Sequence, residues 1–251
     1  MLAILHVFIL VRYGSNESKA TIGEFSCEVL TELTTLQEEK VMENRVEADN
    51  TQCIHAAHVA QAPRGCAHHR SEKATELLSD EHRVIERVLA VLEKLTTRPV
   101  ENPLACWKKA LDFFSHFADQ CHHFKEEQVL FPAMEERGIL RDGGPIGMML
   151  MEHEEGRGLV RLMLAAIALM ETKNEVAKEI LVDKAKAYVR LLKEHIQKED
   201  EILFKIADDV IPADEQKALL RSFEEHEAKE IGEGVHEKYL KLVEELEEHH
   251  R

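Results

Sequence analysis

Residues 122–132 read HHFKEEQVLFP, a segment in which His122 is followed four residues later by Glu126. At helical spacing around this pair the side chains are apolar: Leu111, Phe114, Ala118, Val129 and Ala133. Because residues i and i+4 lie about 5 to 6 Å apart on one helix face, both polar groups would point into the same interior. A buried carboxylate is costly unless a cation compensates it, so the segment predicts a helix that carries metal ligands.

Three other predicted helices also carry a histidine on an otherwise apolar face. His195 and Glu199 repeat the spacing within residues 194–204, EHIQKEDEILF, and His82 and His153 interrupt two further apolar stripes. A single buried histidine is more often a hydrogen-bonded core residue than a ligand. Four such histidines with two glutamates, and no Lys or Arg on the stripes to pair with them, instead favour a dication cluster.

The predicted helix that carries His122 leaves a choice of ligand pair, because it also contains His123 followed four residues later by Glu127. Upstream, that alternative stripe contains Asp112, His116 and Asp119. Such residues are typical of a face in contact with solvent. The predicted metal ligands are therefore His82, His122, Glu126, His153, His195 and Glu199.

Composition and helix signals predict an all-α protein. The chain has 251 residues, 44% of them hydrophobic and 5% aromatic, which suits one large helical domain with an appendage. Asn102 and Asn174 can cap helices, and an RDGGP turn separates the second helix from the third. The four long helices are predicted at about 74–97, 103–137, 145–172 and 174–211.

These lengths and short links favour an antiparallel up-down-up-down four-helix bundle. We expect three regions along the chain. A loosely ordered N-terminal extension occupies 1–73, the bundle occupies 74–210, and one extra C-terminal helix over 211–251 packs on the bundle.

The charge balance argues against nucleic-acid and anionic-membrane partners, since 48 acidic and 32 basic residues give a formal net charge of -16. The five cysteines include no CxxC pair, which favours a reducing compartment. The apolar start, MLAILHVFILV, lacks a basic n-region and is too short to cross a bilayer. We therefore expect a cytoplasmic protein.

Four segments together resemble the hemerythrin-like family, also called the HHE cation-binding domain, over residues 74–210. They are DEHRVIE, HHFKEEQVLFP, MEHEEGR and EHIQKEDEILF, which carry the four predicted histidine ligands in the family's order. The resemblance implies two iron ions in an oxo- or hydroxo-bridged centre, with Glu126 and Glu199 as bridges. Zinc or manganese could also occupy such nitrogen and oxygen ligands. Ferritin-like bundles fit less well, because they use Glu-x-x-His pairs and here Glu233 with His236 alone has that spacing.

One position departs from the oxygen-carrying members of the family, which place a second histidine four residues after the one corresponding to His153. Arg157 occupies that position here. Four histidines and two shared carboxylates would leave open positions on both metals, where dioxygen, nitric oxide or peroxide could bind. This set resembles that of the repair-of-iron-centres proteins, although the adjacent cysteines of their N-terminal domain are missing. The resemblance implies a protein that binds or reduces a small oxidant, in oxidative or nitrosative stress response or in iron-centre repair.

Two other functions stay open at this point. A non-enzymatic oxygen or iron sensor would use metal loading to set stability or partner binding. A helical scaffold would hold no metal at all. The sequence does not identify the electron donor, the oligomeric state or a protein partner.

Further residues are weaker candidates for a functional role. Tyr188, on the stripe of His195, could gate protons or electrons, and Glu152 or Glu154 could orient an imidazole, but core tyrosines and solvated glutamates look the same in sequence. His226 and His236 are ten residues apart, which favours separate surface or interface residues over a role near the metals. A zinc-like but non-standard group lies in the N-terminal extension: Cys53, His55, His58, Cys66, His68 and His69.

Overall fold

The computed structural model describes residues 71–97, 103–171, 175–232 and 234–248, all of which belong to one compact unit. These residues form helices and turns, without a strand among them, and the predicted all-α class is confirmed. The helices within these ranges are α1 (Ala74–Thr97), α2 (103–135), α3 (Pro145–Glu171), α4 (175–210), α5 (213–231) and α6 (Val235–Glu248). The four long helices end within about two residues of their predicted limits, the usual uncertainty of a helix end.

The turn between α2 and α3 depends on glycine. Gly138 and Gly143 have φ angles of +86° and +71°, in the left-handed region that other residues adopt only at a cost. Pro145 then opens α3 at the first helical position, where a backbone N–H has no partner to lose. The predicted caps Asn102 and Asn174 lie outside the described residues, as do the N-terminal extension up to residue 70 and its cysteine–histidine group.

Several helices contain π-helical segments, in which the backbone hydrogen bonds join residues i and i+5 and the turn is wider than in an α-helix. In α2 these segments are Phe114–His123 and Glu126–Leu130, and in α4 the segment is Glu199–Leu203. A further one, Glu227–Ile231, ends α5. The segments of α2 and α4 contain candidate ligands, which agrees with the frequent occurrence of π-turns at functional sites.

The four long helices surround a common interior. Helix α1 packs against α2 and α4, and α3 packs against the same two helices. Two apolar clusters fill this interior. One includes Ile85, Ala118, Val160 and Leu192, and the other includes Leu78, Leu130, Met149 and Leu203. On every one of these helices the predicted ligands lie between a residue of one cluster and a residue of the other.

The C-terminal region differs from the single extra helix that the sequence predicted. It forms two helices, which are interrupted at Gly232 and Gly234, where φ is +100° and +79°. These backbone conformations favour glycine and end a helix. We call residues 213–248 the C-terminal arm; it packs on α1 and α2, with Phe223 in one apolar cluster and Val243 in the other. None of the described helices combines the length and the apolar character that crossing a membrane requires.

Candidate metal centre

The structure brings all six predicted ligands together in the bundle interior. Each has at most 1% of its surface exposed. They are His82 on α1, His122 and Glu126 on α2, His153 on α3, and His195 and Glu199 on α4. The four long helices therefore each contribute at least one polar side chain to one buried site.

The Nε2 atoms of these histidines converge on the two carboxylates. His82 and His195 each place Nε2 at 3.2 Å from Oε2 of Glu199. His122 and His153 place Nε2 at 3.5 Å from Oε1 and Oε2 of Glu126, respectively. His153 also lies 3.9 Å from Oε1 of Glu199 and 3.1 Å from Nε2 of His195. Both glutamates thus contact histidines from more than one helix, an arrangement suited to carboxylates shared by two cations.

Two groups of potential ligand atoms share Glu126. Within each group one donor atom from every residue lies within 4.8 Å of the others. The first group is His82, His122, Glu126 and Glu199, and the second is His123, Glu126, His153 and His195. The site is therefore larger than predicted, because His123 joins it.

His123 was assigned to a solvent-facing stripe on the assumption of a regular α-helix, and that assignment is wrong. In an α-helix, adjacent residues point about 100° apart, so His122 and His123 would point in different directions on a regular helix. Both lie in the π-helical segment Phe114–His123, whose wider turn buries both imidazoles, with 1% and 4% of their surface exposed. The ring of His123 stacks on that of His153, with centroids 3.9 Å apart. The HH dipeptide was the signal in the sequence, but its register could not be read from it.

The second histidine nitrogen, Nδ1, lies within 3.5 Å of a carboxylate in all five cases, and in every case except His123 it makes a hydrogen bond with that carboxylate. A histidine that donates from Nδ1 keeps its Nε2 lone pair free for a metal. The Nδ1 distances are 2.9 Å for His82 to Asp200, 3.0 Å for His122 to Glu81, 3.5 Å for His123 to Asp119, 2.6 Å for His153 to Glu127 and 3.0 Å for His195 to Glu152. Glu152 therefore orients the histidine of α4 and not its own neighbour His153, whereas the exposed Glu154 pairs with Arg157.

Basic side chains balance these outer carboxylates. Arg157 donates to Glu127 and Asp119, each at 2.7 Å. The other pairs are Arg83 with Asp200, Lys125 with Glu81, and Lys198 with Glu152. Each outer carboxylate is therefore held between an imidazole and a cation, which fixes both its charge and its position.

The inner atoms have no such balance. Within the described part of the chain, Nε2 of His82 and His122 and both oxygens of Glu126 and Glu199 are buried without a hydrogen-bond partner. Burial and the nearby Glu199 raise the pKa of Glu126 well above its usual value. Burial lowers the pKa of His122 to about 3, so this imidazole is neutral at pH 7 and can bind a metal. The pKa of His195 is instead raised to about 9, because Glu199 and Glu152 outweigh the effect of burial, so this imidazole would release a proton on binding a metal. Imidazoles around two carboxylates form a donor set that fits divalent transition metals, iron included.

A cavity of about 150 Å³ lies beside this site. It reaches His123, and its walls include Asp119, Gly156, Arg157 and Tyr188. Burial raises the pKa of the Tyr188 hydroxyl, which therefore keeps its proton at neutral pH. The volume exceeds by several times the roughly 30 Å³ that one water molecule occupies in the liquid, so the cavity has room for a diatomic molecule or a peroxide.

The two C-terminal histidines lie near the site but outside the two groups that share Glu126, and His236 forms a third group of potential ligand atoms with Glu81 and Glu227. His226 stacks on Phe124 with ring centroids 3.5 Å apart, and its Nε2 is 3.2 Å from the carbonyl oxygen of Gln120. The ring of His236 lies 5.3 Å from that of Phe117. Both therefore pack against α2.

Comparison with known proteins agrees with this geometry. Residues 73–207 match the family model of the hemerythrin HHE cation-binding domain. Curated relatives include an uncharacterized protein of Mycobacterium bovis and uncharacterized proteins of two Mycobacterium tuberculosis strains. Each is 27% identical over 177 residues, a span that covers 69% of this chain and 69% of the relative. No solved structure matches the chain significantly.

Proposed function

The chain belongs to the hemerythrin HHE cation-binding family, and from this we propose that it holds two iron ions and binds or reduces a small oxidant beside them. Dioxygen, nitric oxide and peroxide are the candidate ligands. The observation that carries the proposal is the set of buried atoms without partners, from His82, His122, Glu126 and Glu199. Buried polar atoms without hydrogen bonds are rare, so their convergence on one point indicates a cation.

The proposed ligands divide into two sets joined by the carboxylates. His82 and His122 would hold one ion, and His123, His153 and His195 the other, with Glu126 and Glu199 as bridges. A bound iron pair would supply exchangeable coordination positions and redox equivalents for a small oxidant. Five histidines and two carboxylates replace the set of six that the sequence predicted, because α2 supplies the imidazole that α3 lacks at Arg157.

The residues around the cavity suit a small ligand. Arg157 is held by Asp119 and Glu127 at the cavity wall, which fixes the position of its guanidinium group beside the site. Tyr188 holds a proton at the same wall. Phe114 packs on Tyr188, with ring centroids 4.9 Å apart, and adds an apolar surface to the same wall. A role in oxidative or nitrosative stress or in iron-centre repair follows from the resemblance of the histidine and carboxylate ligands, and is part of the proposal.

We also propose that consecutive helices of the bundle run antiparallel. Along α1 and α3 the chain passes from the cluster containing Leu78 to the one containing Ile85, and along α2 and α4 it passes in the opposite order. Short connections such as the one before Pro145 favour this arrangement.

Metal analysis and the optical spectrum of the aerobically purified protein test the proposal. We expect about two iron ions per chain in the wild type, with charge-transfer absorption, and loss of both in Glu126→Ala and Glu199→Ala. Glu155→Ala, an exposed change on α3, is the matched control and should keep the metal. A wild-type protein without bound iron, or a spectrum unchanged by both substitutions, would contradict the proposal.

A non-enzymatic oxygen or iron sensor is the second candidate, and one observation favours it. The C-terminal arm contacts the outer carboxylate Glu81 through Lys125, so metal loading has a route to a surface outside the bundle. Addition of nitric oxide or peroxide to the reduced, iron-loaded protein separates the two candidates. Turnover supports the first function, whereas binding without turnover but with a change in the stability of the arm supports the second.

A further inference from the structure

We propose that the C-terminal arm is part of the metal centre, because Glu227 positions the imidazole of His122 through Lys125 and Glu81. This inference rests on the proposed metal site. It extends that site beyond the matched family domain, which ends at residue 207.

The central residue of this connection is Lys125, whose side chain is completely buried. Its ammonium group forms ion pairs with Glu81 of α1 and with Glu227 of the arm. The ring of Phe223, also from the arm, lies 5.9 Å from Nζ and closes the apolar surroundings. Because an isolated buried charge costs several kcal/mol, Lys125 depends on these carboxylates for its place in the fold.

Glu81 links this lysine to the metal site. One of its oxygens, Oε1, accepts from Lys125, while the other, Oε2, accepts from Nδ1 of His122 at 3.0 Å. With Glu227 present, the charge of Lys125 is shared between two carboxylates. Without Glu227, Lys125 would be balanced by Glu81 alone, which would draw Glu81 away from His122 and loosen the imidazole.

The arm also contacts the backbone that carries His122. The ring of His226 stacks on Phe124, and its Nε2 approaches the carbonyl oxygen of Gln120 at 3.2 Å. The Sγ atom of Cys121 lies 3.6 Å from Oε1 of Glu227. Contacts from the arm therefore surround the last turn of the π-helical segment, on both sides of His122 and His123.

A coupling of this kind acts in both directions. If the position of Glu227 affects metal affinity, metal binding must affect the stability of the arm by the same free energy. Iron that fixes His122 would hold Glu81 and Lys125, and these would hold Glu227. The arm is thus expected to open less often in the loaded protein than in the metal-free one.

Ferrous iron binding to the full-length protein tests the inference. Iron is titrated anaerobically in competition with a chromophoric chelator, for the wild type, Glu227→Gln and Glu225→Gln. The second variant is a matched control, because Glu225 is an exposed residue of the same helix whose ion pair is with Lys229. We expect Glu227→Gln to weaken one of two binding steps on the order of tenfold, as for other residues that orient a ligand, and Glu225→Gln to leave both unchanged.

Hydrogen exchange of the wild type and both variants, with and without ferrous iron, gives a second, independent readout. Iron should slow exchange of the amides in α5, and this protection should be smaller in Glu227→Gln than in Glu225→Gln. Equal iron affinities for the two variants, or an exchange rate of α5 that iron does not change, would overturn the inference and leave the proposed function standing. Failure of the wild type to bind iron would overturn both.

Discussion

Acidic residues adjacent to the ligands form a closed ring of hydrogen bonds around the centre. Glu81 on α1 serves His122 on α2, and Glu127 on α2 serves His153 on α3. The ring continues with Glu152 to His195 and returns to α1 with Asp200 to His82. Every long helix therefore orients the imidazole of its neighbour. Because a histidine held through Nδ1 is a better ordered ligand, the ring prepares all four Nε2 atoms at once.

Removal of the His123 imidazole tests whether this residue is a ligand. His123→Ala should lower the affinity for the second iron ion by about tenfold or more, because one of its three imidazoles is removed. His116→Ala on the same helix is the control, since His116 is exposed and pairs with Asp112. Metal content after dialysis and a ferrous iron titration measure the effect. Equal metal content in the two variants would show that His123 is a packing residue.

Glu81 provides a prediction about pH. Burial alone would raise its pKa, but Lys125 and His122 lower it from the usual 4.5 to about 2. A depressed carboxyl pKa stabilises the fold above pH 4.5, and this contribution of about 3 kcal/mol is lost as the pH falls from 4.5 towards 2. In metal-free protein, Glu81→Gln should therefore be much less stable than the wild type at pH 7, and the difference should shrink in acid.

Urea unfolding from pH 7 to pH 3, in the presence of a chelator, measures this difference. Glu93→Gln is the control, because it breaks a surface ion pair with Lys193 that contributes at most about 1 kcal/mol. A gap between the wild type and Glu81→Gln that is constant with pH would show that the fold does not lower the pKa of Glu81.

Six of the seven candidate ligands could be predicted from the sequence, and the seventh could not. Histidines such as His82 and His153 stand out because they interrupt an apolar stripe of period 3.6. His123 was hidden because that period fails in a π-helical segment, and nothing in HHF reports the wider turn. The partners at Nδ1 were equally hidden, because they come from other helices: an acidic residue beside a ligand looks like an ordinary solvated side chain.

Helix α3 lines the cavity with a glycine, a residue that lowers the stability of a helix interior. Gly156 lies in the middle of this helix and lines the cavity, and a Cβ atom there would meet Cε2 of Tyr188 at 3.6 Å, an ordinary contact. Gly158 lies two residues further on, away from the cavity, and its Cβ would lie 3.9 Å from Arg161. Glycine in a helix interior costs roughly 0.5 to 1 kcal/mol relative to alanine.

Both Gly156→Ala and Gly158→Ala are therefore expected to stabilise the protein, by about 0.5 to 1 kcal/mol each. Only Gly156→Ala narrows the cavity, so it alone should slow the binding of nitric oxide to the reduced, iron-loaded protein. Denaturant unfolding and stopped-flow absorption measure the two effects. Identical binding rates in the two variants would show that small ligands reach the centre by another route.

The elements themselves were largely predictable, with the exception of the C-terminal region. The RDGGP turn, Pro145 and Pro212 mark helix limits by local chemistry, which a single sequence displays. The break at Gly232 was less visible, since one glycine in a helix only weakens it. Its φ of +100° ends the helix, and a single sequence does not display this conformation.

At the scale of the whole molecule, a polar layer divides the core into two apolar clusters. Such a layer is unfavourable in itself, because its carboxylates lose water without gaining hydrogen bonds. Most globular domains place apolar side chains at these positions. The molecule therefore carries a local cost in the metal-free state, which a bound cation pair would remove.

Because of this cost, one substitution should have opposite effects on the stability of the metal-free and the iron-loaded protein. Glu126 is fully buried, and burial and Glu199 raise its pKa well above the usual value, so Glu126→Gln should stabilise the metal-free protein by about 1 to 3 kcal/mol. The same substitution removes a proposed bridging ligand, so it should abolish most of the stabilisation that ferrous iron gives the wild type. That stabilisation grows with the ratio of free iron to its dissociation constant.

Anaerobic urea unfolding, once with chelator and once with ferrous iron, measures the free energy of unfolding in both states. Glu155→Gln is the control, because it removes an exposed carboxylate from α3 and should change neither state. If Glu126→Gln were instead less stable than the wild type without metal, the protein itself would be satisfying the carboxylate. The buried layer would then be a structural network, and the stability of the bundle would not depend on cations.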